Sequence, residues 1–280
     1  MLNISNLTVG FDIGTPTEKL VLKNFNLEVN DGEFIVLLGS NGAGKSTLFN
    51  AILGTVPYLG DITLNGKLLN KMPQQKRTKF VGVVYQDPLR GTAPNLRVYD
   101  NILLSKKAPS FYFIRRLFKL NPFNDIIDNN YPYTFFGYRR KIKKEAMEEI
   151  KSYDLGLENQ FETQAKKLSG GQRQALTLYM ASNSNPELLL LDEHTAALDP
   201  KTQDIVMEIT NRIVSEKKVT TLMITHNLKT ALKYGTRLII LNEGKVVVDL
   251  SGDLKKNATE EELLKLYSKH FSDNILFSEK

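Results

Sequence analysis

Gly39-Ser40-Asn41-Gly42-Ala43-Gly44-Lys45-Ser46 follows the apolar run Phe34-Ile35-Val36-Leu37-Leu38 and precedes a helix-like stretch from Thr47 to Leu53. It fills every fixed position of the pattern G-x-x-x-x-G-K-[ST], and it sits between a strand and a helix as that pattern requires. The glycines let backbone N–H groups turn inward around phosphate oxygens at a helix N-terminus. Lys45 then reaches the β- and γ-phosphates, and Ser46 offers its hydroxyl to Mg²⁺. The stretch therefore predicts a nucleoside-triphosphate loop. Its expected contacts are Gly39, Ser40, Asn41, Gly42, Ala43, Gly44, Lys45, Ser46 and Thr47.

Outward from this loop the chain alternates strands and helices. Leu2 to Val9 and Leu20 to Val29 read as strands, separated by the turn-rich Gly14-Thr15-Pro16-Thr17. Gly60 to Leu69 reads as a hairpin about Asn65-Gly66, whose residue types accept the positive φ of a tight primed turn. Phe80–Val84, Leu188–Leu191, Thr220–Thr225, Arg237–Asn242 and Lys245–Leu250 read as further strands; helices are expected over 142–153, 173–182, 201–216 and 228–234. Thr259-Glu260-Glu261-Glu262 is a capping box opening an amphipathic helix through Phe271. This order predicts an α/β domain with a largely parallel sheet covered by helices on both faces. Gln86, Asp192 and His226 then all fall at strand C-termini, the edge where such sheets bind ligands.

Three further stretches carry chemistry. Asp192 closes an apolar strand, where a Walker-B carboxylate can hold Mg²⁺ directly or through water. Glu193 beside it can polarise an attacking water as general base. Leu168-Ser169-Gly170-Gly171-Gln172 sets a serine and two glycines at a helix start, a second anion-binding corner. A chain with two such corners either folds one over the other or lends one to a neighbour.

The composition bounds the rest. The 280 residues suffice for one large domain or two small ones, and the absence of cysteine excludes disulfides and thiolate metal sites. A net charge of +6 suits nucleic acid or an anionic surface, but it is also met by a phosphate-binding role, and no nucleic-acid partner is expected. The start, Met1-Leu2-Asn3-Ile4-Ser5-Asn6, has no basic then apolar leader, and no apolar run approaches the roughly 20 residues of a membrane span. A membrane connection is expected to run through a partner. From about residue 103 to 144 the sequence turns aromatic and basic, with Phe111-Tyr112-Phe113, Arg115-Arg116, Tyr131-Pro132-Tyr133 and Tyr138-Arg139-Arg140-Lys141, interrupted by Pro109, Pro122 and Pro132. It reads either as a solvated excursion with a small core of its own or as a docking surface for a partner or lipid headgroups.

With the phosphate loop, Gln86, the pentapeptide at 168–172, Leu188 to Asp192, Glu193, Ala197-Leu198-Asp199 and His226 in this order, the sequence resembles the ATP-binding cassette (ABC) ATPases over essentially its whole length. The resemblance implies a P-loop NTPase fold with a RecA-like core, an antiparallel β subdomain and a helical subdomain. It places the ATPase domain at 1–250, the helical subdomain at about 95–180 and a C-terminal helical tail at 251–280. It implies ATP and Mg²⁺ as cofactors, with Ser46, Gln86 and Asp192 at the metal, and Lys45, Gln86, Glu193 and His226 in catalysis. It further implies a head-to-tail pair in which Ser169, Gly170, Gly171 and Gln172 of one copy close over ATP held by the other, with Asp199 at the junction. Phe11 is placed on the adenine, the alternative being a buried core phenylalanine. His194 stands where a proline is usual. With Gln86-Asp87-Pro88-Leu89 and Gly91-Thr92-Ala93-Pro94, it is similar to bacterial importer ATPases that serve a transmembrane permease and, indirectly, a lipoprotein-type binding protein, some linked to aromatic amino acids such as tryptophan. Such a subunit lies on the cytoplasmic face of the membrane. A soluble cassette acting on ribosomes or DNA, and an exporter ATPase, are the alternatives.

Overall fold

The computed structural model describes residues 1–12, 19–106 and 135–270. The turn at 14–17, most of the aromatic-basic run and the tail beyond 270 lie outside them.

Strands β1 (Leu2–Phe11) and β2 (Lys19–Val29) pair antiparallel, and β4 (Leu59–Leu64) and β5 (Lys67–Leu68) complete a four-stranded sheet in the order β2-β1-β4-β5. The β4–β5 hairpin turns at Asn65-Gly66, with φ of 48° and 74°. The second sheet is built on β3 (Phe34–Gly39), which feeds the phosphate loop and α1 (Lys45–Leu53). Its other strands are β6 (Val81–Val84), β7 (Leu188–Asp192), β8 (Thr220–Ile224), β9 (Arg237–Asn242) and β10 (Lys245–Ser251), in the order β10-β9-β3-β8-β7-β6. Only β10 runs antiparallel, as a hairpin with β9.

The short helix α2 spans Gln74–Arg77. Beyond β6 come α3 (Val98–Ser105), α4 (Phe135–Lys151) and α5 (Gly170–Asn183); α6 (Pro200–Lys217), α7 (Leu228–Lys233), α8 (Gly252–Asn257) and α9 (Glu260–His270) follow. The period-2 alternation of β3 splits the core. Phe34, Val36 and Leu38 face a cluster with Val98, Ile102, Ile142, Ala146, Ile150, Leu176, Tyr179, Ile213 and Leu263. Ile35 and Leu37 face the other way, onto Leu48 and Ile52 of α1 and the Leu2, Ile4 and Leu64 side of the antiparallel sheet. Both faces of the parallel strands are thus covered, which is why they read as unbroken apolar runs rather than as alternation. Leu188 to Leu191 are fully buried, so truncating one to Ala costs about 2–5 kcal/mol. Thr259 and Glu262 form the expected capping box, at 3.0 and 3.2 Å, and Leu263 and Tyr267 bury α9 in the same core as Ala231 of α7.

Candidate functional site

The phosphate loop leaves β3 at Gly39 and enters α1 at Lys45 through Gly44, which has φ of 102°. A Cβ at Gly44 would sit 2.7 Å from Leu22 Cδ2, so both conformation and space select glycine. No side chain caps the N-terminus of α1, and no acid lies in its first turn. Its first N–H groups and the positive end of its dipole are left for an anion. Lys45 is only 5% exposed, and its Nζ donates to the carbonyls of Gly39 (2.7 Å) and Ser40 (3.0 Å), drawing the loop around its ammonium. Burial lowers its pKa, and the charges of Glu193 and Asp192 oppose that. Ser40 and Thr47 are half-buried, Ala43 is buried, and Asn41, Gly42 and Ser46 are exposed.

Asp192 is the last residue of β7, Gln86 lies two residues beyond β6, and His226 two beyond β8, so the expected convergence on one sheet edge is present. Burial first, and then the charge of Glu193, raise the Asp192 pKa; Lys45, Arg90 and His226 pull the other way. Glu193 adopts a left-handed backbone with φ of 45°, and its N–H donates to Ile224 O at 3.1 Å. That conformation carries its carboxylate to His226, whose Nε2 is 2.7 Å from Oε1. The hydrogen bond from His226 is the main reason the Glu193 pKa falls below its ordinary value. His226 is held in turn by the Thr225 N–H on Leu37 O (3.3 Å) and by Asn227, which caps α7 through Thr230 N at 2.9 Å.

The second corner is built differently. Ser169 caps α5: its Oγ accepts from Gln172 N at 3.3 Å, while Ser169 N donates to Gln172 Oε1 at 3.2 Å. Gln172 Nε2 is committed to Leu155 O (3.0 Å), so this glutamine orders the corner rather than presenting its amide outward. Ser169 and Gly170 are exposed. Gly171 is buried against α6, where a Cβ would stand 2.3 Å from Thr202 Cγ2. Asp199 caps α6 through Thr202 N at 3.1 Å, and hydrogen bonds to its carboxylate lower its pKa. Phe11 ends β1 and is 46% exposed, which rules out the core-phenylalanine alternative. Gln86 is exposed as well.

A family model described as ABC transporter matches residues 22–196. The chain belongs to the ABC transporter family. It is an ATPase subunit of that family, binding and hydrolysing ATP. The tyrosine transport ATP-binding protein of Clostridioides difficile is 40% identical over 268 residues, 95% of this chain and 98% of that protein. The phosphonates import ATP-binding protein PhnC 2 of a Nostoc species is 31% identical over 236 residues, 83% of this chain and 86% of that one. Among solved structures, the dimeric post-hydrolysis state of the ATP-binding cassette MJ0796 bound to ADP and Pi aligns with a TM-score of 0.68 at 26% identity, covering 90% of this chain and 98% of that one.

Several residues that organise this ABC ATPase's site carried no motif. Asn101, buried in α3, holds Ala93 by its N–H (2.7 Å) and O (3.1 Å), fixing the loop after Gln86. That loop is stitched to the approach to Ser169 by Ala165 N on Leu96 O (2.9 Å) and Lys166 N on Pro94 O (2.9 Å). Gln174 of α5 donates to Tyr85 O at 3.2 Å, joining the serine corner to the strand end beside Gln86. Arg90 stacks over the Tyr85 ring at 4.6 Å. His194, marked in the sequence only as a departure from the usual proline, is 2% exposed, and burial holds its imidazole neutral with a pKa down to about 4. A buried imidazole leaves little local signal beyond the apolar residues around it.

Proposed function

We propose that this chain is the ATPase subunit of a bacterial ABC importer, with an aromatic amino acid as the best-supported cargo class. The 40% identity to a tyrosine transport ATP-binding protein along nearly the full length of both chains supports that reading. The arrangement that carries it is the unequal pair of corners: a charged set around Lys45, Asp192, Glu193 and His226, and an exposed neutral corner at Ser169. Two copies placed head to tail bring the Ser169 corner of each over the Lys45 loop of the other. The solved relative with the same cassette fold is dimeric. Among the described residues no helix is long and apolar enough to cross a membrane; a transmembrane permease partner spans it, this chain docks on the permease at the cytoplasmic face, and a binding lipoprotein is engaged through the permease.

In this reading the loop N–H groups and Lys45 hold the β- and γ-phosphates, and Phe11 stacks on the adenine. Ser46, Asp192 and Gln86 offer oxygen donors only. That set fits Mg²⁺, which takes one or two protein oxygens together with phosphate oxygens and water, and no cluster of three His, Cys, Asp or Glu is found among the described residues. When bound there, the ion would supply charge neutralisation to the phosphates. Glu193 takes a proton from the attacking water, with His226 Nε2 held 2.7 Å from its Oε1. Ser169, Gly170 and Gly171 of the second copy, at the N-terminus of α5, stabilise the transferring phosphoryl group. Gln86 and the stitched loop at 93–97 pass the nucleotide state to the helical side. Co-expression with a candidate permease, one encoded beside this chain, tests the transport assignment: the chain sediments with membranes when the permease is present and stays in the supernatant without it. Sedimentation that ignores the permease contradicts the assignment.

A further inference from the structure

Glu193 holds a left-handed backbone that a non-glycine residue leaves unless its neighbours over-determine it. Its own bonds are Glu193 N to Ile224 O at 3.1 Å, Ala196 N to Glu193 O at 3.0 Å, and the His226 contact. The next residue supplies a further hold. His194 Nε2 lies 3.0 Å from Oγ1 of Thr210, which is fully buried in the middle of α6, and that hydroxyl donates to Val206 O at 2.8 Å. With its single proton spent on Val206, the Thr210 oxygen is an acceptor toward His194, so the imidazole is the Nε2–H tautomer and donates. One residue on, buried Thr195 accepts from Gln203 Nε2 at 3.3 Å. Thr210 and Gln203 are seven residues apart and share a face of α6, so the segment after Glu193 is tied to that helix at two levels.

A leucine would fill the same space without direction. The imidazole is kept out of water at a desolvation cost that only an aimed hydrogen bond offsets. We propose that His194 is a positioning residue for ATP hydrolysis: through Thr210 it moors the Glu193 backbone to α6 and so fixes the carboxylate against His226. The N-terminus of α6 also carries Thr202, which packs on Gly171 of the serine corner, so the mooring places both corners on one helix. The inference rests on Glu193 acting on the attacking water.

The test uses the isosteric Thr210→Val, with His194→Ala, His194→Gln, Thr210→Ser and the double variant His194→Ala/Thr210→Val, in steady-state ATPase assays of the full chain. Thr210→Val and His194→Ala each lower kcat about tenfold or more while KM for ATP stays within about twofold, because geometry and not nucleotide binding is lost. Thr210→Ser and His194→Gln, which keep the acceptor and the donor, recover most of that rate. The double variant is no slower than either single one, as for two ends of one interaction. A Thr210→Val protein with wild-type kcat, even with a lowered Tm, overturns the proposal, as does an additive double variant. Glu193→Gln read in the same assay separates the two claims. If it abolishes turnover while Thr210→Val does not, only the role of His194 falls; if it leaves turnover intact, the reading beneath falls too.

Discussion

The charged groups around Lys45 are buried or half-buried, and each shifts the pKa of another; the cap at Ser169 is made of neutral side chains, an exposed serine and a half-buried glutamine, that bond to one another. The first corner is preorganised by burial. Lys45, Asp192 and Glu193 are fixed by strand ends packed on both faces, and their electrostatics are strong because water is scarce. The second is preorganised by hydrogen bonds: a serine and a glutamine three residues on form the cap, a glycine is pressed on Thr202, and the Arg173 guanidinium donates to the carbonyls of Ala165, Lys166 and Leu168. A buried charged half faced by a rigid open half is what a site divided between two copies requires.

Disabling the charged half breaks the contrast most severely. Glu193→Gln keeps size and hydrogen bonding but removes the base, and turnover falls about 10²- to 10⁴-fold with nucleotide binding retained, as read by single-turnover hydrolysis and a fluorescent ATP analogue. Near-normal hydrolysis would remove Glu193 from the role.

The rigid half is tested at Gly171, where a methyl group meets Thr202 Cγ2. Gly171→Ala destabilises the α5–α6 contact by about 1–3 kcal/mol in chemical denaturation, and adding Thr202→Ala returns most of it. If Gly171→Ala costs nothing, the corner is not held by that contact.

The smallest effect is the pH response. His226 holds the folded-state pKa of Glu193 below its ordinary value. Glu193 therefore contributes stability that is fully present above the unfolded carboxylate pKa and is lost as pH falls through the lower, folded one. Glu193→Gln flattens that acid limb in Tm-versus-pH curves, and an unchanged limb would contradict the pairing.

Both halves were legible in sequence, the serine corner through the pentapeptide at 168–172 that opens its helix. Gly39 to Ser46, Asp192 and His226 announce themselves because phosphate chemistry fixes residue types at fixed spacing, and apolar runs locate the strands that carry them. The Asn65-Gly66 turn was equally plain, since few residues besides Asn and Gly accept positive φ. Strand order was not legible, because pairing β3 with β8 and β9 depends on contacts about 190–200 residues apart. Buried cations were missed as well. Arg77, 2% exposed, closes the end of α1 on the carbonyls of Ala51 and Ile52 at 2.8 Å, and Lys255 does the same for Tyr234 O near the end of α7 at 2.9 Å. In sequence each looks like any solvated Lys or Arg, because its acceptors are backbone carbonyls with no residue signature. Helix α3 escaped for a related reason. Its eight residues begin without a side-chain cap, and its N-terminal N–H groups go instead to Thr163 O and Phe161 O.

Mixing two disabled chains tests the divided site directly. A Lys45→Ala protein and a Ser169→Arg protein are each inactive alone, and combined they restore ATP hydrolysis, because one intact loop then meets one intact serine corner. If the mixture stays dead while the wild-type chain hydrolyses ATP as a monomer, at a specific activity independent of its concentration, the two corners do not act together.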